Sequence, residues 1–572
     1  VKTWLPAAVS AVPLAGGTVG EATPPGGASR RLLTRRSFLK SAAAVGVGAP
    51  FAGAAIAACG TAVPSHELLV AAPATPPSLD WELVFGKEVY DHIFNLNDRL
   101  TRWKQIPAPG EPGGFDLAWQ AENFDEITEP RMAEGWEVTN GGRTYIFSLR
   151  KGWPSHAGNE FTAADVKWTF DRSFALHGIT SFYNTLSTIE RPEDVQVLDR
   201  YTVRIDLAEP GPDLLLTLST FWRVMADSTL AKSHATASDP WAKGWLKNHE
   251  AGFGPFKLDD LSPGHQVVWV AHKQHPFPPQ LDQITFKEVP ESASRLATLM
   301  TGEAQVAEYL LPSDMQRVEN SNDLRLWNFQ GYVIASCPMN PKYPPLGDVR
   351  VRQALSYATP YPQILEQVYR GFAGPAHGPL SDHAAGFDPN LSPYSYDPER
   401  ARALLREAGH GNGFTTTLAY SSAEPLGEPI GAQLRSAFMD VGVTLELQSL
   451  PPPVFTQALF TGKRPMFFQT FGADTPDPAY ALGVFYQSKS SNNWGGYKSA
   501  ATDACLAEAG RPQLDWDQRV EAHKRCAQII ANDAPWLWIA QPGFQVSTRR
   551  NLTGINWYAG EAVDWSDVGY TS

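Results

Sequence analysis

Short stretches of alternating apolar and polar residues interleave with helical runs along most of the chain. Residues 136–139, a turn at Asn140-Gly141 and residues 144–150 read as a β-hairpin. Tyr145, Phe147 and Leu149 alternate onto one face, and Asn-Gly suits a turn that needs positive φ. Thr162, with Asp165 three residues on, predicts a capped helix start, and Phe161 and Val166 are spaced to staple across it. Asp348 predicts a second start, with Val351, Ala354, Leu355 and Ala358 on one face. Asp397-Pro398 predicts a third, whose apolar Ala401, Leu404, Leu405 and Ala408 run up to Gly409. Residues 266–271, 284–289 and 324–329 read as strands. No fixed period recurs, which excludes a repeat architecture, and the mixture predicts a multi-lobed α/β fold.

At 572 residues the chain is too long for one domain, and three or four units are expected at about 100–200 residues each. With 43% hydrophobic and 19% charged residues it can bury a large core. The formal net charge of −13 hides a split. Lys2, Arg30, Arg31, Arg35, Arg36 and Lys40 face Glu21 alone in residues 1–58, so the rest is more acidic than the whole. An acidic body disfavours nucleic-acid binding, which depends on neutralising phosphates, and disfavours docking on anionic lipid.

Thr34-Arg35-Arg36-Ser37-Phe38-Leu39-Lys40 precedes an uncharged Ala/Gly-rich run over residues 42–58. A basic flank before a short apolar run is the architecture of an export signal. The paired Arg35 and Arg36 resemble the twin-arginine signal. Ile56-Ala57-Ala58-Cys59-Gly60 resembles a bacterial lipobox, with Cys59 as the lipidated residue. The alternative is cleavage nearby or retention as an anchor. Residues 1–58 therefore stand outside the fold, and 59–65 form a tether.

Enzyme constellations are sparse. No Gly-x-Ser-x-Gly elbow, His-Glu-x-x-His pair or Walker glycine loop occurs. Glycosidase chemistry stays open, because an acidic chain offers many carboxyls and nothing singles out one pair. His272 and His275, amid Lys273, Pro276, Pro278 and Pro279, read as an exposed turn rather than a metal site, so no metal and no cofactor are expected. Cys505 and Cys526 fall on neighbouring predicted helices, where an extracytoplasmic setting allows a bridge or two free thiols. Cys337 reads as a small buried hydrophobe.

Several blocks, in order, resemble the family 5 extracellular solute-binding proteins of peptide and nickel ABC importers. They are GWEVTNGGRTYIFSLRKGWPSHAGNEFTAADVKWTF from Gly135, GFGPFKL from Gly252, LGDVRVRQALSYA from Leu346, the Gly-Phe-Asp-Pro to Ala-Gly block over 385–409, FGADTPDP from Phe471, and Asp533-Ala534-Pro535-Trp536. The chain departs from the pattern at Phe471, where relatives usually have Trp, and at Pro154, Pro360 and Pro362.

The resemblance implies a two-lobed periplasmic-binding-protein-like α/β fold (type II, cluster C) with an extra small inserted lobe. Lobe I is expected at 66–92, 222–334 and 541–572, the inserted lobe at 93–221 and lobe II at 335–540, with crossovers near 332–335 and 539–542. It implies a monomeric, lipid-anchored, extracytoplasmic receptor that closes on a ligand and delivers it to ABC permease subunits, with no catalysis. Peptides are the first expectation; an oligosaccharide or a metal chelate is the rival ligand, and a secreted hydrolase is the rival class. By motif position, Asp474 takes a peptide's α-ammonium, or else caps a turn. Asp477 is assigned to capping the following helix. Phe471 either meets ligand or lines the core. Asn493 and Trp494 belong to a polar-aromatic loop that lines a cleft or packs against the body, and Tyr332 sits at a crossover facing the cleft mouth. No position stands out for a ligand carboxylate: Lys463 and Arg464 read as solvated.

Overall fold

A computed structural model describes residues 66–571, except 85, 119–126, 211–212, 330, 512 and 559–560. Arg35, Arg36, Cys59 and the tether lie outside the described residues.

The strand Glu67–Ala72 is an almost unbroken apolar run, the pattern of a strand covered on both faces. It sits inside a seven-stranded sheet, parallel to Gln283–Glu288 on one side and to Val306–Glu308 on the other. Phe544–Arg549 and Leu324–Phe329 complete that edge, and Phe256–Ser262 with Gln266–Ala271 the opposite one. The second lobe holds a four-stranded sheet in the order Ala373–Pro375, Trp536–Pro542, Ile334–Pro338, Gln469–Phe471. Beside it Phe414–Ser421 runs parallel to Val443–Leu450 and Met466–Phe467. The fold is thus two-lobed, with one lobe discontinuous in sequence.

The third sheet, Ala133–Thr139, Thr144–Leu149, Thr202–Asp206 and Val195–Asp199, contains the expected hairpin. Thr139 pairs with Thr144, and Asn140 and Gly141 take φ of 51° and 63°. Tyr145, Phe147 and Leu149 are buried. The helix Ala163–Leu176 packs on this sheet; the Thr162 N–H donates to the Asp165 carboxylate at 2.8 Å, and Phe161 and Val166 are both buried. Asp348 and Asp397 accept from the N–H groups of Arg350 and Arg400, each at 2.9 Å, as N-caps do.

The chain passes between the lobes twice. The first passage runs from Phe329 to Ile334, and the second turns at Gly543, between Pro542 and Phe544. Both lie within a few residues of the expected crossovers. They touch: a Cβ on Gly331 would fall 1.8 Å from the Pro542 carbonyl oxygen, and the Gln541 amide donates to the Gly331 carbonyl. Only a residue without a side chain allows that approach.

Tryptophan serves the interior, with Trp81, Trp103, Trp269, Trp327 and Trp565 among the largest fully buried side chains. Cys337 is buried and free, and Cys505 and Cys526 are joined as a disulfide that ties Ala500–Ala509 to Trp516–Asp533. The exposed turn expected at His272 and His275 is corrected: the two are 1% and 3% exposed. His275 meets Asp98 at 3.3 Å, and Trp153 covers it edge-on. The polar and Pro-rich neighbours suggested a surface turn, but the packing of the inserted lobe on the large sheet covers it. Burial alone would raise the Asp98 carboxyl; Arg131, His275 and Arg99 together hold it well below the usual carboxylate range. Among the described residues no helix is long and apolar enough to cross a membrane.

Candidate functional site

Asp474 follows the strand Gln469–Phe471, at a position that brings it against the first half of the chain. Tyr183, on the helix Ile179–Leu186, and Tyr480, on Pro478–Tyr486, both donate hydroxyl hydrogen bonds to its Oδ2, the second at 2.9 Å. Burial raises the Asp474 carboxyl above its ordinary range, and the two hydroxyls oppose the shift. The residue as a whole keeps part of its surface open to solvent. A carboxylate surrounded by protein and approached by hydroxyls on one oxygen can accept charge-assisted hydrogen bonds on the other.

The local chain explains this placement. Asp477 performs the capping, accepting from the Ala479 N–H at 2.8 Å and pairing with Arg519 at 2.7 Å, so Asp474 is not needed for the helix start. Tyr183 is fixed from behind. The Glu82 carboxylate accepts from the Thr180 N–H at 3.1 Å and from its hydroxyl, and the Glu82 carbonyl accepts from Ile179 N–H at 3.0 Å.

The remaining expected positions have other posts. Phe471 is 6% exposed and packs edge-on against Phe485 and Trp536, at centroid distances of 4.6 and 4.9 Å. Tyr332 is buried over Gly472, where a Cβ would come 2.3 Å from its ring, and against Trp557 at 5.3 Å. Asn493 uses both ends of its amide inside its own loop, donating to the Gln487 and Tyr497 carbonyls and accepting from the Tyr497 N–H. Trp494 is half-buried, lying nearly parallel to Trp536 at 6.2 Å. Asp474 is hydrogen-bonded to a side chain of the Ile179–Leu186 helix, 291 positions away.

Sequence reasoning missed the wall opposite. The helix Lys87–Leu96 presents Lys87, Tyr90 and Asp91. Lys87 pairs with Glu561 at 2.9 Å. Burial would lower its ammonium, but Glu561 and, from lobe II, Glu424 hold it above the usual value. Burial raises the Tyr90 phenol far above its ordinary range, and Glu561, Asp474 and Glu88 add to the shift. Asp91 accepts from the Val563 N–H at 2.9 Å and Trp565 Nε1 at 2.6 Å. Its carboxyl is pushed up to about 6, chiefly by burial, and Glu308, raised by burial and by Asp91, hydrogen-bonds with it. Lys87, Tyr90, Asp91, Glu308, Tyr309, Glu424 and Glu561 each retain solvent-accessible surface although protein surrounds them. Lys87, Asp91, Glu308 and Tyr309 also share the lining of one small cavity with Glu88, His92 and Phe286. A broader depression on the inserted lobe, among Arg143, Arg191 and Arg204, has those cations paired with Glu209, Asp194 and Asp206. Among the described residues no group of three or more His, Cys, Asp or Glu could hold a metal ion.

Comparison with known proteins agrees with this geometry. Residues 128–493 match the model of the bacterial extracellular solute-binding proteins, family 5. The dipeptide-binding protein of Escherichia coli K12 is 26% identical over 446 residues, covering 74% of this chain and 83% of the relative. The glutathione-binding protein GsiB of Escherichia coli O1:K1 is 28% identical over 442 residues, covering 74% and 82%. Among solved structures, the periplasmic binding protein DppA of Helicobacter pylori in complex with the peptide STSA superposes with a TM-score of 0.76 at 22% identity, covering 88% of this chain and 98% of that one. That last likeness speaks for the fold.

Proposed function

The chain belongs to the bacterial extracellular solute-binding proteins of family 5, and on that premise we propose that it captures peptides between its two lobes. It is the extracytoplasmic solute receptor of an ABC importer, handing its ligand to the permease. The observation that carries the peptide reading is Asp474, a reachable carboxylate in an enclosed site, bridged by Tyr183 from the other side of the cleft. An α-ammonium entering there gains charge-assisted hydrogen bonds, while the ligand main chain is free to bond to backbone as an added strand. Ligand drives closure through its greater affinity for the closed state. Two passages between lobes permit rigid-body motion. The reading includes export through the Arg35-Arg36 signal, attachment through lipidated Cys59, and action as a monomer. These rest on the sequence of residues 34–60 and on the acidic body, which offers no second means of holding an anionic membrane.

Native purification followed by mass spectrometry of the co-purifying small molecules tests the ligand class. A mixture of short peptides is expected; a single sugar or a metal chelate overturns the peptide assignment and leaves the receptor role standing. Asp474→Ala is expected to abolish peptide-induced thermal stabilisation, and unchanged stabilisation removes Asp474 as the ammonium anchor.

A further inference from the structure

We infer that Glu82 and Arg223 are positioning residues for ligand capture: within the reading of Asp474 as an ammonium anchor, on which this rests, the hydrogen-bond chain strung between them sets where the Tyr183 hydroxyl stands. Tyr183 lies on the short helix Ile179–Leu186, whose N-cap, Gly178, has no side chain to satisfy the first amides. Glu82 satisfies them from 98 positions away. Its carbonyl accepts from the Ile179 N–H at 3.0 Å, and its carboxylate accepts from the Thr180 N–H at 3.1 Å. A negative charge there also complements the positive end of the helix dipole. A Cβ on Gly178 would fall 2.4 Å from the Glu82 carbonyl oxygen, so a residue without a side chain is what lets the helix start press on this cap.

The same carboxylate ends a chain of hydrogen bonds that runs in one direction. The Thr180 hydroxyl has a single proton and gives it to Glu82, so the Ser173 hydroxyl, 2.6 Å away, must donate to Thr180. Ser173 accepts from the Asn184 amide nitrogen at 3.0 Å, and the Asn184 amide oxygen accepts from Arg223 Nη1 at 2.7 Å. The chain leads from a guanidinium to a carboxylate, and each bond polarises the next. Two of its links, Thr180 and Asn184, flank Tyr183 on the same helix. Glu82, Ser173, Thr180, Asn184 and Arg223 are all 3% exposed or less. Stability alone does not call for this arrangement. Arg223 is buried with Nε and Nη2 lacking a hydrogen-bond partner among the described residues, and well-packed apolar side chains often hold a buried place as firmly as paired charges do. What the charged chain supplies is a fixed position, and the side chain it fixes is the one that bonds Asp474.

The test is isothermal titration of the full chain, freed of co-purified ligand, with the tripeptides Ala-Ala-Ala, Ala-Leu-Ala and Ala-Lys-Ala. The parent is compared with Tyr183→Phe, with Glu82→Gln, Thr180→Val and Arg223→Met, and with each of these three combined with Tyr183→Phe. Glu82→Gln, Thr180→Val and Arg223→Met are each expected to weaken binding about fivefold, the worth of about one hydrogen bond. They are expected to weaken it no further once Tyr183→Phe is present, because they act through that hydroxyl. A general loss of stability would not show this dependence, and should Glu82→Gln not fold, the near-isosteric Thr180→Val carries the same cycle. Equal weakening with and without the Tyr183 hydroxyl overturns the positioning role and leaves the peptide reading intact. So does an absence of weakening where Tyr183→Phe itself weakens binding. Unchanged binding in Tyr183→Phe overturns the part played by that hydroxyl and the positioning role with it. Absence of binding by all three peptides overturns the peptide reading and the positioning role together.

Discussion

The phenol of Tyr183 donates a hydrogen bond to the carboxylate of Asp474 across the cleft. The two residues are 291 positions apart in the chain. In the proposed function, an ammonium bound at Asp474 favours the state in which Tyr183 also reaches that carboxylate.

Tyr183→Phe removes that hydroxyl and keeps the ring that packs against Phe182 at 5.3 Å. Peptide affinity is expected to fall roughly 10–100-fold, the worth of about one hydrogen bond to a charged group, and the ligand-free chain to scatter as a more open particle. Titration calorimetry and small-angle scattering check both outcomes. Unchanged affinity and an unchanged radius separate the contact from closure.

Gly331→Ala tests the crossover. The new methyl would meet the Pro542 carbonyl oxygen, so the two passages must move apart. A loss of about 2 kcal/mol or more in stability is expected, together with a smaller ligand-induced change in radius. Denaturant unfolding and scattering with and without ligand read the two effects.

The disulfide between Cys505 and Cys526 closes a loop with a sequence separation of 21 residues. Replacing both cysteines by Ser is expected to cost about 3 kcal/mol through the added freedom of the unfolded chain. The change should appear as a lower midpoint in denaturant unfolding of the oxidised protein and vanish when both proteins are compared under reductant.

Acid stability follows from two buried imidazoles. Burial lowers His92 to about 3; burial, then the neighbouring His156, lowers His272 to about 4. The unfolded chain takes up these protons near the ordinary histidine value of about 6.5, while the folded chain does not. Stability from these groups is full above that value and is lost as pH falls through it towards 4. Asp91, raised to about 6, acts in the opposite sense, since the folded state holds its proton more tightly. With His272→Gln the fall in unfolding free energy between pH 7 and pH 5 is expected to be shallower than in the parent. An equal slope removes His272 from the acid response.

Much of the local structure was legible in the chain. Thr162 with Asp165, Asp348, Asp397 and Asp477 cap the helices they precede, because a cap is decided by atoms within three residues of one another. The hairpin at Asn140-Gly141 follows from φ preferences of the same two residues. Asp474 could be singled out because Asp477 already satisfied the helix start. Phe471, Tyr332, Asn493 and Trp494 were harder, since an aromatic or amide beside a cleft motif looks alike in sequence whether it faces ligand or packs inward.

The amino-acid sequence by itself determined the capped helices, the alternating strands, the acidic body and the order of blocks that marks the family. The tertiary structure alone decided which surfaces meet. It buried His272 and His275, set Gly331 against Pro542, and brought Lys87 to Glu561 and Tyr183 to Asp474. The physical reason is range. Backbone propensity and capping act within a turn or two, whereas charges from segments hundreds of residues apart interact only after sheet topology and the paired crossovers have brought the lobes together.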